Sequence, residues 1–431
     1  MLGRSLKLLP LLALLCLAFT KAPPGTSSGS STGGSVVSRL FQSWPLIKSQ
    51  ITKSFEKGDG LQDPNGELPT SIPMDIMGKP ENLQVQYTMD PYLQKQVKDL
   101  IKQYKPDYAA FVAVEPETGK VLALVSETYK KKFKGHVALK ATYPAASVFK
   151  MVTAAAAIEG SQLHPSSEIA FTGRNHTLYK SNVTSQKVTR WTRNMSMKEA
   201  FGRSVNTVFA KIGLFHVGQL SLQKYAERFG FNQSLHFDLP LSEGRAVIPA
   251  NEWGVAEAAS GFTTEIVMSP VQGAMMAAAI VNDGVMMEPY SVQSLTTGEG
   301  KVVYEAIPRS LRVVVGKAAS EEMKELMNET IERGTSRKFF KPMMKQSRLQ
   351  EWDLGGKTGS LTGLYPKGKY DWFVGYADFK GKKVAVAALT IHEKYWKVKS
   401  AYLARRIFES FIKAQTPVDR HLNLRFASRK H

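Results

Sequence analysis

The side chains of Leu93, Val97, Leu100 and Ile101 return every three or four positions, which places them on one face of a helix. Asp90 ahead of Pro91 supplies an N-cap and a pre-set first turn, and the pattern fades near Tyr104. The period then shortens. Ala109 to Glu115 and Val121 to Ser126 are short apolar runs joined by the turn signal Pro116-Glu-Thr-Gly119, which predicts a β-hairpin. A basic loop leads from it to a second apolar helix that contains Ser147 and stops at Gly160. From Gly160 to about Lys345 the pattern is mostly helix and loop, with candidate helices at Met197 to Ile212, Ser221 to Phe229, Ser269 to Asn282 and Ser320 to Arg333. Strand character returns at Leu354 to Thr358, Trp372 to Phe379 and Val384 to Ile391, the last two joined across Lys380-Gly-Lys382. A final amphipathic helix from about Ser400 to Ala414 carries Leu403, Ile407, Phe408 and Phe411 as its stripe.

Strands therefore fall at the two ends of this pattern and helices in its middle. Isolated hairpins are unstable in water, so the two pairs are expected to join into one antiparallel sheet of about five strands. The terminal helices should cover one face, and the Ser147 helix with the helical middle should form the other layer. The fold class this predicts is α+β, an antiparallel sheet flanked by terminal helices beside a mostly helical lobe, with a cleft where sheet and lobe meet.

The first residues add a different signal. Arg4 and Lys7 precede the run Leu8 to Phe19, which is shorter than the roughly 20 apolar residues that span a bilayer. Residues 1–20 are expected to be an export signal or a retained N-terminal anchor. Residues 21–38, rich in Pro, Gly, Ser and Thr, should be a flexible tether, 39–84 a short extension, 85–415 the catalytic domain and 416–431 a basic tail. The predicted location is exported: the periplasm or the outer face of the cytoplasmic membrane.

Charge and cysteine content narrow the classes further. Cys16 is the single cysteine, so an intramolecular disulfide and a cysteine-type zinc cluster are excluded. The formal charge is +20, with basic clusters at Lys130-Lys-Lys-Phe-Lys134 and from Arg333 to Arg348. In an exported protein that charge points to an anionic membrane or wall surface rather than to nucleic acid, or simply to a solvated basic face. No metal and no cofactor are called for.

Three short strings carry the chemistry: Ser147-Val-Phe-Lys150, Ser204-Val-Asn206 and Lys357-Thr-Gly-Ser360. Ser-x-x-Lys also begins at Ser54, Ser221 and Ser410, so that spacing alone selects nothing, but the other two strings each occur once. Ser147 is expected in the first turn of its helix, near the positive end of the dipole, with Lys150 three residues on along the same face. The apolar surroundings of Phe149, Met151 and Val152 disfavour the ammonium and would lower the lysine toward a usable base for the serine nucleophile. Ser204 could relay a proton to the leaving group and Asn206 could hold a substrate amide, provided the backbone there departs from regular helix. Lys357 supplies charge that favours neutral Lys150 and attracts a carboxylate, which Thr358 and Ser360 can bind. Gly359 permits close approach of a substrate backbone, and the main-chain amides of Ser147 and Ser360 are the natural oxyanion hole.

On these strings the chain resembles the transpeptidase domain of penicillin-binding proteins, within the serine D,D-peptidase and β-lactamase-like superfamily. The resemblance runs from about Val85 to Ala414 and takes in Thr88-Met-Asp90, the Phe111 to Ser126 hairpin, Met268 to Ala274, Asn282-Asp-Gly284, Gly334-Thr-Ser336 and Trp372 to Tyr376. It implies that Ser147 is acylated, that Lys150 is the base, and that Ser204, Asn206 and Lys357 to Ser360 complete the site. It also implies peptidoglycan stem peptides as substrates and β-lactam antibiotics as acylating ligands. Ala145 and Ala146 stand where the family often has Pro-Gly, and Ser360 where threonine is commoner. Residues 39–84 are too few for the large pedestal of the septal and elongation enzymes, and no glycosyltransferase domain fits there. The expected activity is D,D-transpeptidation; D,D-carboxypeptidase, β-lactamase, or a non-catalytic β-lactam sensor or wall-binding scaffold are the alternatives.

Overall fold

The computed structural model describes residues 47–56, 67–76, 79–130, 135–345 and 352–415. The export-signal, tether and basic-tail expectations, and most of the Lys130 cluster, lie outside these residues. No helix among the described residues is long and apolar enough to cross a membrane.

The chain divides into two units, of which the larger comprises 89–235, 241–289 and 308–431. Its centre is a five-stranded antiparallel sheet in the order Trp352–Leu364, Lys367–Phe379, Lys382–His392, Tyr108–Val114 and Val121–Thr128. The two predicted hairpins have thus joined, Ala385↔Val114 through Ile391↔Tyr108 being the seam. Every residue of Tyr108–Val114 is buried, so this strand is covered on both faces and reads as a continuous apolar run rather than an alternating one. Ala109, Phe111 and Ala113 face a core shared with Val97 and Ile101 of the Pro91–Tyr104 helix and with Leu403, Ile407 and Phe408 of the Ser400–Gln415 helix. Asp90 caps the first of these as expected, accepting from the Leu93 amide at 2.8 Å.

The opposite face is covered by Pro270–Val281, a helix whose twelve residues are all buried. Gly273 lets it approach the sheet, since a Cβ there would already lie 3.1 Å from Val374 and 3.3 Å from Ala387. A helix without a polar stripe belongs between a sheet and further structure, and here Met323 and Leu326 of the Lys317–Glu332 helix also lie in the interior.

The smaller unit corrects the expectation that strands occur only at the chain's ends. Val292–Thr296 and Val302–Glu305, from the stretch read as helix and loop, pair with Ser71–Ile76 and Lys79–Tyr87 in a four-stranded antiparallel sheet. These strands are short and only partly buried, which leaves too few apolar positions to show an alternation. The unit is organised around Asp238, fully buried, whose carboxylate accepts from the Ser291 and Val292 amides and from the Ser291 hydroxyl.

Candidate active site

Ser147 lies in a short 3-10 turn, Ala146–Phe149, that runs into the α-helix Lys150–Ala155. The distinction matters for geometry. In a 3-10 turn side chains at i and i+3 eclipse, so the Lys150 Nζ is carried to 2.8 Å from the Ser147 Oγ. The turn is held from three sides. Ala145 N–H donates to the Ile266 carbonyl, and Tyr143–Pro144 pairs with Val267–Met268. Trp372 Nε1 donates to the Pro144 carbonyl at 2.9 Å from the central sheet. The residue before the serine, Ala146, has φ +50°, a left-handed conformation that Ala rarely adopts. Gly261 lies directly against it: a Cβ on Gly261 would come within 2.0 Å of the Ala146 carbonyl oxygen.

Lys150 is wholly buried and has three oxygens within hydrogen-bond reach: Ser147 Oγ, Asn206 Oδ1 at 2.8 Å and the Ser260 carbonyl. The Asn206 amide is oriented by its own Nδ2, which donates to the His176 carbonyl at 3.1 Å. Two of the three partners of Lys150 are therefore carbonyl oxygens that can only accept. A neutral amine has two N–H donors and one lone pair, so with both donors on those carbonyls the lone pair is left for the Ser147 hydroxyl. Burial, and after it the charge of Lys357, hold the Lys150 pKa well below 10.5, which favours that neutral form.

Ser204 stands at a break between the helices Met197–Gly202 and Asn206–Ile212, with φ +57°. The departure from helix required by the Ser-x-Asn spacing is present, and Asn206 becomes the first helical residue with its side chain turned to Lys150. Ser204 does not cap the helix. Its hydroxyl accepts from Lys357 Nζ at 2.9 Å. Lys357 is also wholly buried, its second bond going to the Thr358 carbonyl, and burial brings its pKa down to about 7.

Lys357 to Ser360 belong to Trp352–Leu364, which is the sheet's edge strand as expected. Gly359 meets the Ser147 turn: a Cβ there would lie 3.1 Å from Val148 Cγ2 and 3.2 Å from the Ala145 carbonyl. The close approach it permits in this structure is that of the Ser147 turn itself. The Thr358 and Thr335 hydroxyls are 2.6 Å apart, and the Ser360 hydroxyl donates to Asp371 at 3.2 Å. Ser147, Ser204, Asn206, Thr358 and Ser360 all line one cleft of about 380 Å³, with Lys150 and Lys357 behind its wall.

Several contributors escape the sequence reading. The Ser260 carbonyl is a backbone group and has no signature of its own, although Gly261 after an alanine-rich helix signals the helix end that exposes it. His176 lines the cleft with its pKa lowered, first by burial and then by Lys150 and Lys357. Asp371 and Lys399 reach it from the neighbouring strand and from just ahead of the last helix, and Thr335 comes from the Gly334-Thr-Ser336 string noted in the sequence.

A serine 2.8 Å from the amine of a wholly buried lysine, beside the edge strand of an antiparallel sheet, is the arrangement expected of serine acyl-transfer enzymes that use lysine as the base. The chain belongs to the penicillin binding protein transpeptidase domain family, whose model matches residues 109–413. It is 26% identical over 346 residues to the peptidoglycan D,D-transpeptidase PbpA of Mycolicibacterium smegmatis, covering 72% of this chain and 67% of that one. Its Mycobacterium tuberculosis counterpart is 27% identical over 351 residues with the same coverage. Among solved structures, penicillin-binding protein A from M. tuberculosis as its imipenem acyl-enzyme superposes with a TM-score of 0.63 at 23% identity, covering 77% of this chain and 80% of that chain. The D,D-transpeptidase domain of a peptidoglycan glycosyltransferase from Eggerthella lenta gives 0.63 at 24%, covering 77% and 84%. These superpositions carry the fold.

Proposed function

We propose that the protein is a peptidoglycan D,D-transpeptidase acting through a Ser147 acyl-enzyme. The observation that carries this reading is the 2.8 Å contact between Ser147 and a wholly buried Lys150 whose other partners are carbonyls. In the proposed cycle neutral Lys150 takes the Ser147 proton as Oγ attacks the carbonyl of the penultimate D-alanine. The main-chain amides of Ser147 and Ser360 receive the oxyanion. Lys357 donates to Ser204, and Ser204 passes a proton to the departing amine, so D-alanine leaves. The amine of a second stem peptide then attacks the ester carbonyl, forming the C–N bond and breaking the ester C–O bond; Ser147 recovers its proton from Lys150, and the amine's proton returns through Ser204 to Lys357. Asn206 holds the substrate amide. Thr358, Gly359 and Ser360 bind the end of the donor strand with its carboxylate under the field of Lys357. Export to the outer side of the cytoplasmic membrane follows from such a substrate and from the apolar run Leu8 to Phe19.

The test is covalent labelling. A fluorescent penicillin should acylate the parent protein stably and fail to label Ser147→Ala. A pentapeptide incubated with and without an acceptor amine should yield the crosslinked product and free D-alanine by mass spectrometry. Hydrolysis alone in both incubations would assign a carboxypeptidase, and rapid turnover of the penicillin would assign a β-lactamase.

A further inference from the structure

At the Ser360 end of the cleft stands a cation that the three strings do not contain. Lys357, the lysine of the third string, is wholly buried and directs its N–H bonds at Ser204 Oγ and the Thr358 carbonyl. It contributes field there but no donor exposed to a ligand. Lys399, by contrast, lines the cleft with its side chain 30% exposed.

Its ammonium is held at two points. One is the Asp371 carboxylate at 3.0 Å, and the other is the face of Trp396, whose centroid lies 3.2 Å away. Asp371 is itself 6% exposed and takes two further donors, the Ser400 amide at 2.7 Å and the Ser360 hydroxyl at 3.2 Å. Its charge is therefore shared among three donors, and it is the single carboxylate among the described residues that line the cleft. A lysine held this way has lost its rotamer freedom before any ligand arrives, so an anion that meets it does not bear that entropic cost. With one N–H on Asp371 and the Trp396 face against another side, the ammonium keeps a donor for a ligand.

We propose that Lys399, held in place by Asp371 and Trp396, is a specificity-determining residue that receives a substrate carboxylate beside Ser360. The inference rests on the transpeptidase reading. A stem peptide offers such a group at its C-terminus and on its side chains; a penicillin offers one on its ring, and some carry a second on the side chain.

Second-order acylation rate constants are measured on the full chain with three probes: benzylpenicillin, its methyl ester, and a penicillin bearing a second, side-chain carboxylate. In Lys399→Met the ratio of benzylpenicillin to ester falls about tenfold if the ring carboxylate is received. The ratio of dicarboxylate to benzylpenicillin falls by a similar factor if the side-chain group is received. Lys399→Arg restores the ratio that fell. Trp396→Leu, which removes only the ring beneath the ammonium, lowers the same ratio by a smaller factor and serves as the second variant if Lys399→Met does not fold. Unchanged ratios in Lys399→Met, or in Trp396→Leu where that variant stands in, overturn the inference while leaving the acyl-enzyme intact. A parent that none of the probes acylates overturns the transpeptidase reading and this inference with it.

Discussion

Two buried lysines stand behind Ser147, and burial favours the amine over the ammonium in each. Lys357 lies at about 7 in the folded chain against 10.5 for a free lysine. Between those values the unfolded chain binds a proton that the folded chain does not, so folding is penalised progressively as pH falls from 10.5 to about 7 and by a constant amount below. Lys357→Met is therefore expected to raise the thermal unfolding midpoint at pH 6, with the advantage shrinking as pH rises above 7. Removing the Lys357 charge also raises the Lys150 pKa, so whatever acylation this variant retains should have its acid limb at higher pH. Parallel scanning calorimetry and pH–rate profiles check both. At Ala146 the left-handed backbone gives a second prediction. Ala146→Gly should leave urea-unfolding stability unchanged or raise it by up to about 1 kcal/mol. Ala154→Gly, inside the adjacent helix, should lower it by at least about 1 kcal/mol. The strings Ser147 to Lys150, Ser204 to Asn206 and Lys357 to Ser360 were visible in the sequence because each keeps its functional groups within four residues. Ser260, Asp371 and Lys399 were not, since a backbone carbonyl, a mid-strand aspartate and a lysine in a basic loop resemble many others in this chain.

At the scale of elements, the Ser147 turn is a joint rather than a free helix start. Gly261 presses on it from the end of the Glu252–Ser260 helix, with φ +65° and no room for a Cβ. Gly261→Ala should cost about 2 kcal/mol or more of stability. In the protein that still folds, acylation by fluorescent penicillin should slow by about a hundredfold, because the displaced turn carries Ser147 out of line with Lys150. A normal rate with normal stability would show the turn to be self-supporting. The helix boundaries near Pro91, Ser269 and Ser400 were legible from caps and apolar stripes. The four-stranded sheet was not, because Val292–Thr296 and Val302–Glu305 are four or five residues long and their buried and exposed positions do not alternate strictly. The Met197 to Ile212 stretch shows the opposite case, where helical flanks concealed a break that only the chemistry of Ser204 and Asn206 called for.

Across the larger unit, the helix at 400–415 closes a core laid down by residues 93–125. Leu403, Ala404, Ile407 and Phe408 are buried with Leu93, Val97 and Phe111. A chain truncated after Lys399 exposes this face of the sheet and should lose both its near-ultraviolet circular dichroism and its penicillin labelling. Retention of either would show the sheet to be stable without its second cover. The same closure explains what was knowable beforehand. The sequence by itself determined the periodicities, hence the elements, the antiparallel hairpins and the α+β class, because each depends on neighbours within about one element's length. It also determined which residue types could perform acyl transfer. Only the tertiary structure decided that Ser147 and Ser204 line a cleft with Lys150 and Lys357 buried behind its wall, that carbonyls rather than carboxylates surround Lys150, and that Lys399 lines the cleft with Ser360. Those contacts join different elements of the fold, Lys150 meeting the Ser260 carbonyl 110 positions away and Lys357 meeting Ser204 153 away, and such a pairing follows from how whole surfaces fit, which no local pattern encodes.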